Sequence, residues 1–124
     1  MKKGILGLIM ATAIVLAISA QADQASKQPE TVVTGEVVDT GCYLGHDSKG
    51  AGHAECATMC INQGMPVGVL TQKGDLYLVT MNHDNPDAFH KLKKMAGKNV
   101  AVTGHAYTRG GMTGIEIDSF KPAA

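Results

Sequence analysis

The chain has 124 residues with eleven basic and eleven acidic side chains, a balance that supplies no basic face of the kind nucleic-acid binding requires. Aromatic residues make up only 4% and tryptophan is absent, which leaves little material for the stacking platforms that hold single-stranded bases. At this length one domain with one modest core is the expectation.

Lys2 and Lys3 precede an apolar run from Ile5 to Ile18 that ends in Ser19-Ala20-Gln21-Ala22. A charged start, an apolar centre and an Ala-x-Ala terminus are the parts of an export signal, with cleavage predicted after Ala22. The run falls short of the roughly 20 apolar residues of a membrane span. Residues 1–22 are therefore read as a cleaved signal peptide that leaves no stable membrane anchor. No cysteine stands at the cleavage point to take a lipid and no arginine pair precedes the run, so the chain is expected to cross the membrane unfolded and fold outside, in the periplasm or secreted. The mature chain then keeps about 102 residues and a net charge of −2, because two lysines leave with the signal. Residues 23–30 lack apolar groups and read as a flexible leader, followed by a domain over residues 31–121.

Residues 31–40, Thr-Val-Val-Thr-Gly-Glu-Val-Val-Asp-Thr, are rich in β-branched side chains and predict a first strand, with Gly35 marking a bulge or bend. A Gly-rich loop over 45–52 leads to a short helix from about His53 to Gln63, which Gly64 ends as its C′ residue and Pro66 prevents from continuing. Residues 66–71 and 76–81 are apolar, β-branched runs separated by Gln72-Lys73-Gly74-Asp75, the pattern of a hairpin. Asn85 is placed to cap a helix that has Pro86 at its first position and Asp87 in its first turn. Ala88, Leu92, Met95 and Ala96 share one face of that helix with Phe89 beside them, and Lys91, Lys93 and Lys94 form its solvated side. Residues 98–108 predict a strand in which Val-Ala-Val-Thr-Gly-His echoes the first strand. Arg109-Gly110-Gly111-Met112 is a turn, and residues 114–120 form the last strand, with Ile115 and Ile117 on one face and Glu116 and Asp118 on the other.

Five strands with a helix between the third and fourth, and bends in the first and fourth, predict a mainly β fold. The expectation is a small five-stranded OB-like Greek-key barrel with a short Cys-bearing helix inserted between strands 1 and 2. Val37-Val38-Asp39-x-x-Cys42, then His53-x-x-Cys56-x-x-x-Cys60-x-x-x-Gly64-x-Pro66-Val67, and a late Gly97-x-x-Val100-x-Val102-x-Gly104 together resemble an uncharacterised family of small exported bacterial OB-like domains. The resemblance runs over roughly residues 32–119. It implies the fold and export, and brings no established activity.

All three cysteines and two of the five histidines fall between Cys42 and Cys60. At about 100° per residue, His53, Cys56 and Cys60 on one helix point within an arc of roughly 60°. Cys42, at the end of the first strand, can face them. Three sulfurs and one nitrogen suit a closed tetrahedral Zn²⁺ or a Cu(I) ion. His46 is a substitute ligand, and the thioethers of Met59 and Met65, close in sequence, favour copper. The alternative is a disulfide of Cys42 with Cys56 or Cys60, which an oxidising compartment would form and which would staple the insertion to the barrel. A bond between Cys56 and Cys60 is disfavoured, since side chains one helical turn apart meet poorly for disulfide torsions. An odd cysteine count leaves one thiol over and keeps a metal site, or exchange of that thiol with the pair, in view.

Other chemistry is absent from the sequence. There is no Cys-x-x-Cys-His for haem, no Cys-x-x-Cys of the thioredoxin kind and no Gly-Lys-Ser/Thr phosphate loop. No oxyanion element accompanies a cysteine–histidine pair. His83, His90 and His105 read as exposed or satisfied side chains, and Met81, Met95 and Met112 as core filler. The expectation is a binding protein rather than an enzyme, holding Zn or Cu through Cys42, His53, Cys56 and Cys60. The rival readings are a disulfide-stapled interaction module that meets an envelope protein, and a thiol redox protein.

Overall fold

The computed structural model describes residues 28–124; the predicted signal peptide, its cleavage point and most of the leader lie outside the described residues. Five strands alternate with three α-helices: β1 (Glu30–Asp39), α1 (Thr40–His46), α2 (Ala54–Asn62), β2 (Val67–Leu70), β3 (Leu76–Met81), α3 (Pro86–Leu92), β4 (Asn99–Arg109) and β5 (Met112–Pro122). The fold is mainly β. Its strands close into a ring in the order β1-β2-β3-β5-β4. Neighbours are antiparallel except β3 and β5, which pair in parallel from Leu78↔Gly114 to Met81↔Ile117 because α3 and β4 lie between them in the chain.

β1 serves two partners. Its first part pairs with β4 from Glu30↔His105 to Glu36↔Asn99, and its last part with β2 from Glu36↔Leu70 to Asp39↔Val67. The changeover falls at Gly35, where a Cβ atom would collide with the carbonyl of Leu70; the bend foreseen from this glycine is a site of close backbone approach. The echo in β4 is real as well, since the β4–β5 register shifts between Thr103 and Gly104. β5 is longer than predicted, reaching from Met112 to Pro122.

Period-two alternation turns Val33 and Val37 of β1 inward to meet Val67, Val69, Val79, Val100, Val102, Ile115 and Ile117, all at most 6% exposed. Burying each such side chain contributes about 1.5–3 kcal/mol against leaving it in water. α3 and the residues after it bring Ala88, Leu92 and Ala96 to this core, with Phe89 and Met95 packed against it, the face its spacing predicts. Asn85 holds the N-cap position without capping through its side chain. Its amide instead donates to the carbonyl of Asp118 at 2.8 Å, so α3 starts from the fixed backbone of Pro86 and is tied to β5. α3 ends in a 3₁₀ turn, Lys93–Met95. Beyond it Gly97 donates its N–H to the carbonyl of Val37 at 2.8 Å, docking the helix end beside β1.

The insertion between β1 and β2 holds two α-helices where one was expected. The strand stops at Asp39, whose side chain accepts a hydrogen bond from the Cys42 N–H at 2.7 Å and so caps α1. Cys42 therefore lies in the first turn of a helix and not at a strand end, and part of the stretch read as a Gly-rich loop is helical. Thr40 closes the neck of the insertion, its N–H and its hydroxyl both donating to the carbonyl of Pro66. Among the described residues no helix is long and apolar enough to cross a membrane.

Candidate metal centre

Four consecutive pieces of chain meet at one end of β1. β1 contributes Asp39, α1 contributes Cys42, a 3₁₀ turn over Ala51–His53 contributes His53, and α2 contributes Cys56 and Cys60. α2 is seated by Ala57 and Ile61, which are 3% and 1% exposed and enter the core one helical turn apart. The cysteines at 56 and 60 repeat the same spacing one residue earlier, so anchoring one stripe aims the other beside β1. The helix ends as its sequence predicts. Gly64 has φ +103°, its N–H reaches the Ile61 carbonyl, and the Met65 N–H reaches back to the Cys60 carbonyl, the paired bonds of a Schellman cap.

The ligating atoms of Cys42, His53 and Cys56 lie within 4.8 Å of one another, and so do those of Asp39, Cys42 and Cys60. Cys42 belongs to both groups and is the centre of the cluster. All three cysteines are free and half-buried, and the sulfurs of Cys42 and Cys60 stand 4.0 Å apart. Around a tetrahedral ion bound at about 2.3 Å, sulfur ligands stand about 3.8 Å from each other. A disulfide needs about 2.05 Å. The observed separation matches the edge of a metal tetrahedron and exceeds a covalent bond by about 2 Å.

Asp39 is the residue that sequence reasoning missed. It is fully buried, and its two oxygens are divided between the Cys42 N–H and His53 Nε2, the latter at 3.3 Å. With Nε2–H donating to this carboxylate, Nδ1 is the nitrogen of His53 left to bind a metal. A carboxylate that orients a ligating histidine through its second nitrogen is the usual support of such sites. Among the described residues Asp39 forms no ion pair with a lysine or arginine. The nearby Lys49 pairs with Asp47 instead. The pocket is thus short of positive charge, and the thiols register it. Cys42 is pushed up to about 12 by the Asp39 carboxylate beside its thiol, then by burial and by Cys60. Cys56 is pushed up by burial first and by Cys60 second. A bound cation reverses this balance, because it stabilises the thiolates that the carboxylate opposes.

Two of the other predicted ligands, His46 and Met59, are placed apart. His46 ends α1 on an exposed turn and joins neither ligand group. Met59 is 54% exposed and lines a shallow hollow with Glu55, Thr58, Asn62 and Gln63 on the outer face of α2. Met65 lies across Gly41, where its thioether would meet any added Cβ, one residue from Cys42. Of the remaining histidines, His105 is buried between the Gln28 carbonyl and Asp118 and serves the fold.

No protein-family model, curated protein or solved structure matches the chain.

Proposed function

We propose that this is an exported binding protein, periplasmic or secreted, that holds one thiophilic metal ion, Zn²⁺ or Cu(I), through Cys42, His53, Cys56 and Cys60. The observation that carries the reading is that Cys42 is shared by two overlapping ligand groups, one with His53 and Cys56 and one with Cys60 and Asp39, with the Cys42–Cys60 sulfurs at 4.0 Å. Gathering all four ligands on one ion asks Cys60 to close on the His53–Cys56 side. Asp39 supports the site by fixing His53 and the first turn of α1. The ring order, the single parallel pair and the position of α3 support an OB-like Greek-key barrel as the scaffold, with the two-helix insertion as its binding element. Nothing in the cluster resembles a nucleophile paired with an oxyanion donor set, so binding is favoured over catalysis.

The test is elemental analysis and a thiol count on reduced mature protein. The reading expects one equivalent of metal, released together with reactivity of three thiols when a chelator is added. Protein that takes up no zinc or copper while its three thiols remain free overturns it.

A second reading rests on the same sulfur pair. A disulfide between Cys42 and Cys60 would staple the insertion beside β1 and leave a metal-free module whose surface meets an envelope protein. Closing that 18-residue separation would contribute roughly 3 kcal/mol in the chain-entropy model. Protein purified without reductant that shows one thiol and no metal would favour it.

A further inference from the structure

The two states just described use the same sulfurs and exclude each other. We propose that the cluster is a redox-gated metal site: a reactive disulfide oxidises Cys42 and Cys60 to an intramolecular bond, expels the metal, and leaves Cys56 as the free thiol. The inference rests on the metal-binding reading above. It explains the odd cysteine count, because the metal state uses three sulfurs and the oxidised state uses two.

The geometry selects the pair. Cys56 and Cys60 sit one turn apart on α2, and a bond between them would distort the helix that carries both. Cys42 approaches Cys60 from a different element, across 4.0 Å, so about 2 Å of movement makes the bond. The two helices differ in how deeply they are seated. α2 is fixed by Ala57 and Ile61 in the core. α1 is seven residues long, buries only Thr40 and contains Gly41 and Gly45, each costing about 1 kcal/mol of helix propensity against alanine. Its first turn is held by the Asp39 cap and by Thr40 on the Pro66 carbonyl, so the gap closes by rotation of the two cysteine side chains with a small adjustment of α1, and the ring is left in place. Of the four proposed ligands the oxidised site keeps His53 and Cys56, and even with the Asp39 carboxylate beside them that is too few for a closed tetrahedral ion.

The chemistry balances as thiol–disulfide exchange. One thiolate of the pair attacks a sulfur of the incoming disulfide, RSSR, forming a mixed disulfide and releasing RS⁻. The second thiolate attacks the protein sulfur of that mixed disulfide and expels the other RS⁻. Two electrons pass from the cysteine sulfurs to RSSR, the metal ion leaves with its oxidation state unchanged, and each RS⁻ takes a proton according to its own pKa.

The experiment uses reduced mature chain loaded with one equivalent of zinc and challenged with oxidised glutathione, or with a protein carrying an oxidised Cys-x-x-Cys pair. Free zinc is read with a chromogenic chelator and the bond is located by peptide mapping. The expected result is one zinc released per intramolecular bond formed, a Cys42–Cys60 link, an alkylatable Cys56, and zinc uptake restored by reductant. The faster of the two oxidants identifies the source of the disulfide, and failure with both overturns the proposal. Zinc that stays bound after Cys42–Cys60 oxidation, or a link that involves Cys56, overturns it while leaving the metal site standing. Reduced protein that takes up no zinc removes the metal reading and this inference together. Cys60→Ser provides a second arm: it should accumulate mixed disulfide on Cys42, and rapid closure instead onto Cys56, whose ligating atom also lies within 4.8 Å of that of Cys42, would overturn the selection of the pair.

Discussion

Asp39→Asn separates the charge of Asp39 from its shape. Asparagine caps a helix as well as aspartate, so α1 should persist while the carboxylate that keeps the Cys42 thiol protonated is lost. At pH 8 a thiol at about 12 is ionised in roughly one molecule in ten thousand, and at its ordinary value of 9.0 in roughly one in ten. That span of about a thousandfold is a ceiling, because burial and Cys60 still oppose ionisation after the substitution. A thiolate of lower pKa is also a weaker nucleophile, which trims the gain further. The expected increase in Cys42 alkylation is therefore roughly 10–100-fold at pH 8 in reduced, metal-free protein. Peptide-resolved mass spectrometry after timed iodoacetamide pulses measures it. Cys56 is the internal comparison: burial leads its shift and Cys60 comes before Asp39 among the causes, so its rate should rise less than that of Cys42. If Cys42 reacts no faster in the variant, the carboxylate is not what holds the thiol protonated and the electrostatic account of the pocket fails.

The same Asp39→Asn substitution should weaken zinc binding by about 10–100-fold, the usual loss when a supporting carboxylate is removed, and a competitive chelator titration would show it. His46→Ala should leave zinc affinity unchanged, whereas Cys42→Ser should abolish one-to-one binding, both read from the same titration. In reduced, metal-free protein the raised Cys42 thiol contributes stability that is complete below the unfolded-state value and lost as pH rises from about 9 toward 12. Urea midpoints at pH 7 and pH 10 should accordingly fall further apart in the wild type than in Cys42→Ser. Ile61→Ala removes a side chain that is 1% exposed and should cost about 2–5 kcal/mol in chemical denaturation. Met59→Ala, on the exposed side of the same helix, should stay within about 0.5 kcal/mol.

The ring was legible because its strands carry their information locally. β-branched runs, turn residues at 72–75 and 109–112, and the apolar face of α3 are each decided within a few residues, and Gly64 marks a helix end by its backbone alone. α1 was not legible for the opposite reason. It is short, carries two glycines and shows no apolar stripe, so only its capping residue and its seat beside β1 stabilise it. Asn85 misled because capping competes with a tertiary partner that sequence does not show, the Asp118 carbonyl. The importance of Asp39 did have a signal. Val33, Gly35 and Val37 alternate inward, and Asp39 continues the same period onto the buried face. A carboxylate at an inward position demands a partner, and the cysteines and histidine that follow provide one.

Every side chain of the proposed centre falls between Asp39 and Cys60, whereas the ring closes only through pairs such as Val33↔Val102, roughly seventy residues apart. The centre is therefore a local element on a scaffold of distant contacts. In a chain that emerges from its N-terminal side, this segment is complete before β4 is available to pair with β1. Metal capture or sulfur oxidation there would constrain the insertion through local contacts alone, whereas the seating of α2 through Ala57 and Ile61 needs the core that the later strands complete.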